Sequence, residues 1–117
     1  MGYYTDYEVE INGFKDQDEA EFFEFKEFHK KDGLLNDIKY STNIHVESNS
    51  VSFELGQWKW YDWKKDLEVL SKRYPLLTFE VRGVGEEFPD IWKARVRNGE
   101  TEVVKAQIVF PDFEKIC

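Results

Sequence analysis

Apolar and polar residues take turns along one stretch of this chain after another, and a strict period of two is satisfied by β-strands with one buried and one wet face. Between Tyr3 and Ile11 the odd positions read Tyr3, Thr5, Tyr7, Val9 and Ile11, while the even ones read Tyr4, Asp6, Glu8 and Glu10. The pattern returns over part of the span from Ile38 to Val46, then from Val51 to Leu55 and from Leu77 to Val81. After Gly56 the parity flips to Trp58 and Trp60, which a bulge at that glycine accounts for. The clearest turn is Asn98-Gly99, since both residues tolerate the positive φ of a type I′ hairpin. Counting outward from it opposes Arg97 to Glu100 and Arg95 to Glu102 on one face, and Ala94 to Val103 and Val96 to Thr101 on the other.

Two segments break the alternation with helical spacing. After the Asn12-Gly13 turn, Asp16 or Asp18 caps a helix expected to run to about Lys31. At 100° per residue Phe22, Phe25, Phe28 and His29 share its apolar arc, and Phe23 falls opposite, among Glu19, Lys26, Glu27 and Lys30. Asp62 caps a second helix, in which Trp63, Leu67, Leu70 and Tyr74 form the buried stripe and which Pro75 ends. The element order predicts an α+β fold: a ferredoxin-like split β-α-β (β-α-β-β-α-β) with an additional C-terminal β-hairpin, helices on one face of an antiparallel sheet. A length of 117 residues and 20 aromatic side chains suit one domain, 1–117, with an aromatic core.

Enzymatic chemistry finds little to work with. The single thiol, Cys117, excludes an internal disulfide and a thiolate metal cluster, and no nucleophile–histidine signature surrounds His29 or His45. His29 sits beside the phenylalanine arc as an edge-of-core residue, while His45 falls on a wet strand face where a ligand role stays open. Gly83-Val84-Gly85-Glu86-Glu87 has the spacing of a glycine loop but no lysine, and its carboxylates repel phosphate. Neither catalytic residues, a metal nor a cofactor are expected. Trp58, Trp60 and Trp92 form an aromatic group that suits core packing or, alternatively, a cleft for a small ligand or nucleotide. No basic leader with an apolar stretch and no apolar run of membrane-spanning length occur, so a cytoplasmic protein is expected.

Charge is more telling than any motif. The formal net charge is −8, with 24 acidic against 16 basic residues, which disfavours direct binding of nucleic acid or anionic membrane. Residues 1–27 hold nine carboxylates against Lys15 and Lys26, a net of −7, and the remaining 15 acids and 14 bases leave −1. The imbalance therefore belongs to the first strand and first helix, and Glu47, Glu54 and Glu80 extend it if their alternation sets them beside Glu8 and Glu10. An asymmetric field of this kind steers basic partners.

Gly2-Tyr3-Tyr4-Thr5 with Tyr7, Trp60-Tyr61-Asp62 with Asp66, Ser71, Tyr74-Pro75, Gly83, Gly85-Glu86-Glu87, Asp90-Ile91-Trp92-Lys93 and Asn98-Gly99 give the chain a likeness at both ends. It resembles a family of small, mostly uncharacterised tailed-phage proteins, and the likeness thins between about Lys30 and Gln57. The resemblance implies a ferredoxin-like accessory protein of the infected bacterial cytoplasm, of the kind that includes anti-CRISPR inhibitors of host defence, and it carries no catalytic residue. With the charge, it leads to a non-enzymatic inhibitor that binds a basic, nucleic-acid-handling host protein. Asp6, Glu8, Glu10, Glu19, Glu24 and Glu27 would supply the charge and Phe23 an apolar anchor. Monomer and homodimer both remain open, and a free sheet edge would offer a route to self-assembly.

Overall fold

Strand β1 (Thr5–Asn12) shows its alternation directly: Thr5, Tyr7, Val9 and Ile11 are buried, and Asp6, Glu8 and Glu10 face solvent. It lies inside a six-stranded sheet of the computed structural model, which describes residues 4–36, 42–60, 62–87, 89–111 and 113. The others are β2 (Thr42–Glu47), β3 (Ser50–Trp58), β4 (Thr78–Gly85), β5 (Ile91–Arg97) and β6 (Glu100–Lys105). Their order is β2-β3-β1-β4-β5-β6, every neighbouring pair antiparallel. Helices α1 (Gln17–Glu24) and α2 (Trp63–Arg73) join β1 to β2 and β3 to β4, and α1 continues into a π-helical turn at Phe25–His29. The fold is therefore α+β, with one antiparallel sheet and two helices among the described residues.

Both helices cover the same sheet face. The core joins Val9 and Ile11 of β1, Val51 and Phe53 of β3, Phe79 and Val81 of β4 and Val96 of β5 with Phe23 and Phe28 from one helical segment and Leu67 and Leu70 from the other. Among the described residues the opposite face carries no helix and is polar, as antiparallel sheets permit. Among the described residues no helix is long and apolar enough to cross a membrane.

Several local expectations match the structure. Asp16 is the N-cap of α1, its carboxylate accepting from the Glu19 N–H at 2.9 Å. The Asn98-Gly99 turn has φ of +47° and +80°, and the β5–β6 register is the one counted from it. The β1–β3 register slips between Thr5 and Tyr7, opposite Gly56-Gln57, so a bulge does restore Trp58 and Trp60 to the buried side. Asp62 occupies the N-cap of α2 without a side-chain bond, so its capping there is by backbone alone. The expected strand residues Ile38 and Tyr40 lie outside the described residues.

Two expectations need correction. The glycine-spaced segment at Gly83 is not a loop: β4 runs through it to Gly85. A side chain at Gly83 would meet the Trp92 indole at 2.2 Å, so the glycine exists to let that ring lie against the strand backbone. The larger correction is the phase of α1. Phe23 is 1% exposed in the core, whereas Phe22 and Phe25 are 61% and 53% exposed. Lys30 N–H bonds to the Phe25 carbonyl at 3.1 Å, five residues back, and this wide turn brings Phe28 round to the side already occupied by Phe23. In a regular helix positions five apart diverge by about 140°, so an unbroken 100° count assigns the wrong face.

Phe23 packs edge-on against Phe14 and Tyr74, with ring centroids at 5.3 and 5.0 Å. Phe23→Ala should therefore cost about 3–5 kcal/mol in urea unfolding, while Phe22→Ala and Phe25→Ala should each stay within about 0.5 kcal/mol of wild type. Equal losses at positions 22 and 23 would contradict this packing.

Candidate functional site

The acids of residues 1–27 divide between two faces. On the open sheet face, register sets Glu54 opposite Glu8, Glu8 opposite Arg82 and Arg82 opposite Lys93. The next row runs Ser52, Glu10, Glu80, Arg95 and Glu102 across β3, β1, β4, β5 and β6. Glu54 and Glu80 thus stand beside Glu8 and Glu10, as their alternation suggested, with a shallow cavity of about 410 Å³ over them, whereas Glu47 lies on β2 opposite Ser50 and does not join them. The same cavity is bordered by Arg82 and Lys93, and Arg95 approaches Glu80 at 3.9 Å. In these two rows the face is acidic over β3 and β1, mixed over β4 and basic over β5, so three bases offset part of the charge of five carboxylates.

Asp6 and Glu10 also have local roles. The Asp6 carboxylate accepts at 2.6 Å from the N–H of Gln57, whose φ of +49° makes the bulge. Glu10 accepts from the Asn12 side-chain amide at 2.8 Å. His45 borders the open-face cavity. Among the described residues no group of three or more His, Cys, Asp or Glu is placed to hold a metal ion.

Helix α1 lies on the other side of the sheet, so Glu19 and Glu24 look away from Glu8 and Glu10. Asp18, Glu19 and Glu21 are exposed, and among the described residues none has a cation within 4 Å. Glu24 is partnered by His29 Nε2 at 3.0 Å. Helical spacing sets Phe22 next to Asp18, Glu19 and Phe25, and Phe25 next to Glu21. Two exposed rings therefore stand among uncompensated carboxylates, and the Lys30 ammonium sits 5.8 Å from the centre of the Phe25 ring.

Glu27 is not a surface acid. It is 0% exposed, because the wide turn points it inward toward α2. Arg73 Nη1 donates to both carboxylate oxygens at 3.0 Å, the Tyr74 hydroxyl donates at 2.6 Å and the Leu34 N–H at 3.2 Å. Four donor contacts satisfy the buried charge, so Glu27 ties α1 to the end of α2 instead of meeting a partner. Phe23, for the reason given above, is a core residue and offers no anchor.

The tryptophans pack on their own kind. Trp60 is buried, donates its indole N–H to Asp66 at 2.9 Å and meets Tyr7 edge-on at 5.6 Å. Trp92 stacks on Trp63 at 4.6 Å and 22°, which puts an indole where a ligand ring would lie. Trp58 is half-buried against the same core. Of the three residues of the expected cleft, Trp60 is thus a core residue, Trp58 and Trp92 are half-buried, and Trp63 already stacks on Trp92. Sequence reasoning missed Phe22 and Phe25 as exposed residues; their acidic neighbours at helical spacing were the available signal.

Comparison with known proteins found no matching family model, no matching curated protein and no matching solved structure.

The Tyr74 hydroxyl provides a pH signature of this helix–helix contact. Its burial, reinforced by the hydrogen bond to Glu27 and by that carboxylate's charge, pushes the phenol well above its ordinary value of 10.0, with Arg73 opposing in part. The folded protein then holds this proton more tightly than the unfolded chain does. The resulting stabilisation is whole below about pH 10 and is lost as pH rises beyond it. Tyr74→Phe should be less stable than wild type near pH 8, and urea unfolding should show that gap narrowing above about pH 10. A gap that stays constant with pH would contradict the contact.

Proposed function

We propose that this chain is a non-enzymatic protein-binding domain that docks on a basic surface through the outer face of α1. The observation that carries this reading is the placement of Phe22 and Phe25, both more than half exposed, among the uncompensated carboxylates of Asp18, Glu19 and Glu21. Desolvated aromatic rings at the centre of an interface supply most of its energy, and surrounding charge mainly sets the encounter rate and excludes unsuitable partners. The matching partner has an apolar pocket inside a basic rim. A groove that handles nucleic acid on a host defence protein has that chemistry, and occupying it would inhibit the host protein as an anti-CRISPR-like phage inhibitor does. The charge imitation is limited to the helix, because the acids of β1 look the other way beside arginine and lysine.

The strand order β2-β3-β1-β4, with α1 after β1 and α2 after β3, supports reading the first four strands as a ferredoxin-like split β-α-β unit extended by the β5–β6 hairpin. In that reading α1 is one of two helices on a rigid sheet, which suits it to present a fixed face.

Affinity capture from a bacterial lysate with wild type and with Phe22→Ser/Phe25→Ser tests the proposal. Wild type should retain a basic nucleic-acid-handling protein that added DNA or RNA displaces, and the double variant should lose it, each ring being worth about 2 kcal/mol or more. Asp18→Lys/Glu21→Lys should slow association and reduce its salt dependence. Capture unchanged by both variants, with the fold retained, would remove this reading.

A further inference from the structure

We propose that two copies of this chain associate through edge strand β6 and the extended arm that follows it. In a two-residue hairpin the pair flanking the turn exchanges both backbone bonds, and bonding recurs at every second residue. Arg97 and Glu100 are that pair, so Glu100, Glu102 and Val104 bond inward to β5, and the Ala106 N–H continues the phase to the Ile91 carbonyl at 2.8 Å. The backbone groups of Thr101, Val103 and Lys105 consequently point outward from the last strand of the sheet.

Natural edges are usually blunted by charged side chains, above all lysine, by proline or by a covering segment, and β6 has such charges at Glu100, Glu102 and Lys105. This edge also carries Val103 and Val104, the latter 67% exposed, and leads into an arm with Ile108, Val109 and Phe110, the last 84% exposed. The Cα radius of gyration is 16.7 Å, against about 13 Å for a compact chain of this length. These five side chains expose roughly 450 Å² of apolar surface, more than half of the about 800 Å² that each partner buries in a standard interface, and Val103 and Val104 project from opposite faces of the sheet, so a paired edge gains apolar cover on both.

Charge and register select a second copy as the occupant. Residues 90–105 hold four bases (Lys93, Arg95, Arg97, Lys105) and three acids (Asp90, Glu100, Glu102), so two copies meeting here keep their strongly acidic α1 and β1 out of the contact. A two-fold axis normal to the sheet sets Val103 opposite the partner's Val103, Thr101 opposite the partner's Lys105 and Glu102 opposite the partner's Val104. No like charges face one another in that register, whereas a shift of two residues toward the turn would oppose Glu102 to the partner's Glu102. The association is independent of the helix-docking reading and uses a different part of the molecule.

Sedimentation equilibrium of the full chain should give about twice the monomer mass of 14.0 kDa at micromolar concentration. Val103→Pro removes only an outward N–H and should leave the circular dichroism unchanged while weakening association at least tenfold. Val109→Ser/Phe110→Ser, at two highly exposed positions outside the core, should weaken it similarly. In a Cys117→Ser background, oxidised Val103→Cys should form a disulfide-linked dimer, since opposed Cα atoms in a bonded antiparallel pair lie about 5.5 Å apart. A monomer at every concentration, a dimer that both sets of variants leave intact, or a Val103→Cys chain that does not cross-link would each overturn the proposal.

Discussion

The hydrogen bond from the Lys30 N–H back to the Phe25 carbonyl, five residues away, governs how the first helical segment meets the sheet. It follows an α-helix only eight residues long, too short to be stable alone, so tertiary packing and not intrinsic propensity sets its rotation. The wide turn lets Phe23 and Phe28 enter the same core, against Phe79 and Phe53 respectively. It also turns Glu27 inward, where Arg73 and Tyr74 meet its carboxylate. Phe22 and Phe25 are left outside as the geometric consequence, and the aromatic content of the docking face follows from how the core is filled.

The second constraint is that the sheet has only one face to bury. Alternation on β1 sends Tyr7, Val9 and Ile11 toward the helices and Asp6, Glu8 and Glu10 away from them. Acids that are close in sequence therefore end on opposite sides of a two-layer molecule. A single electronegative surface made by the whole of residues 1–27 is incompatible with that geometry. What survives is a smaller acidic patch on α1, sharpened by two aromatic rings, and a sheet face on which Arg82, Lys93 and Arg95 offset part of the charge of the strand carboxylates.

The strands, the order of elements and the hairpin register were legible in the sequence because each rests on local rules: period-two alternation, Asn-Gly turn chemistry and a bulge at a glycine. A cap for α1 at Asp16 or Asp18 was legible for the same reason, and the structure selects Asp16. The face of α1 was not. Phe22, Phe25 and Phe28 make a better apolar arc than Phe23 does, and only contact with Phe14, Tyr74 and Phe79 reveals which arc is buried. Gly83 was equally opaque, since the reason for a glycine there is the indole of Trp92, nine residues away on the neighbouring strand. Burial of Glu27 depends on Arg73 and Tyr74, 46 and 47 residues further along. Long-range packing decided each of these, and the functional reading moved with it, from Phe23 to Phe22 and Phe25 and from the whole of residues 1–27 to one helix.

The rotation of α1 is the claim on which the docking face stands, and ring-proton nuclear Overhauser spectroscopy with a soluble paramagnetic agent measures it directly. The account predicts cross-peaks from the Phe23 ring to those of Phe14, Tyr74 and Phe79, with the Phe22 and Phe25 resonances broadened by the agent and that of Phe23 protected. Cross-peaks from Phe22 or Phe25 to the Phe79 ring, with Phe23 broadened instead, would contradict it.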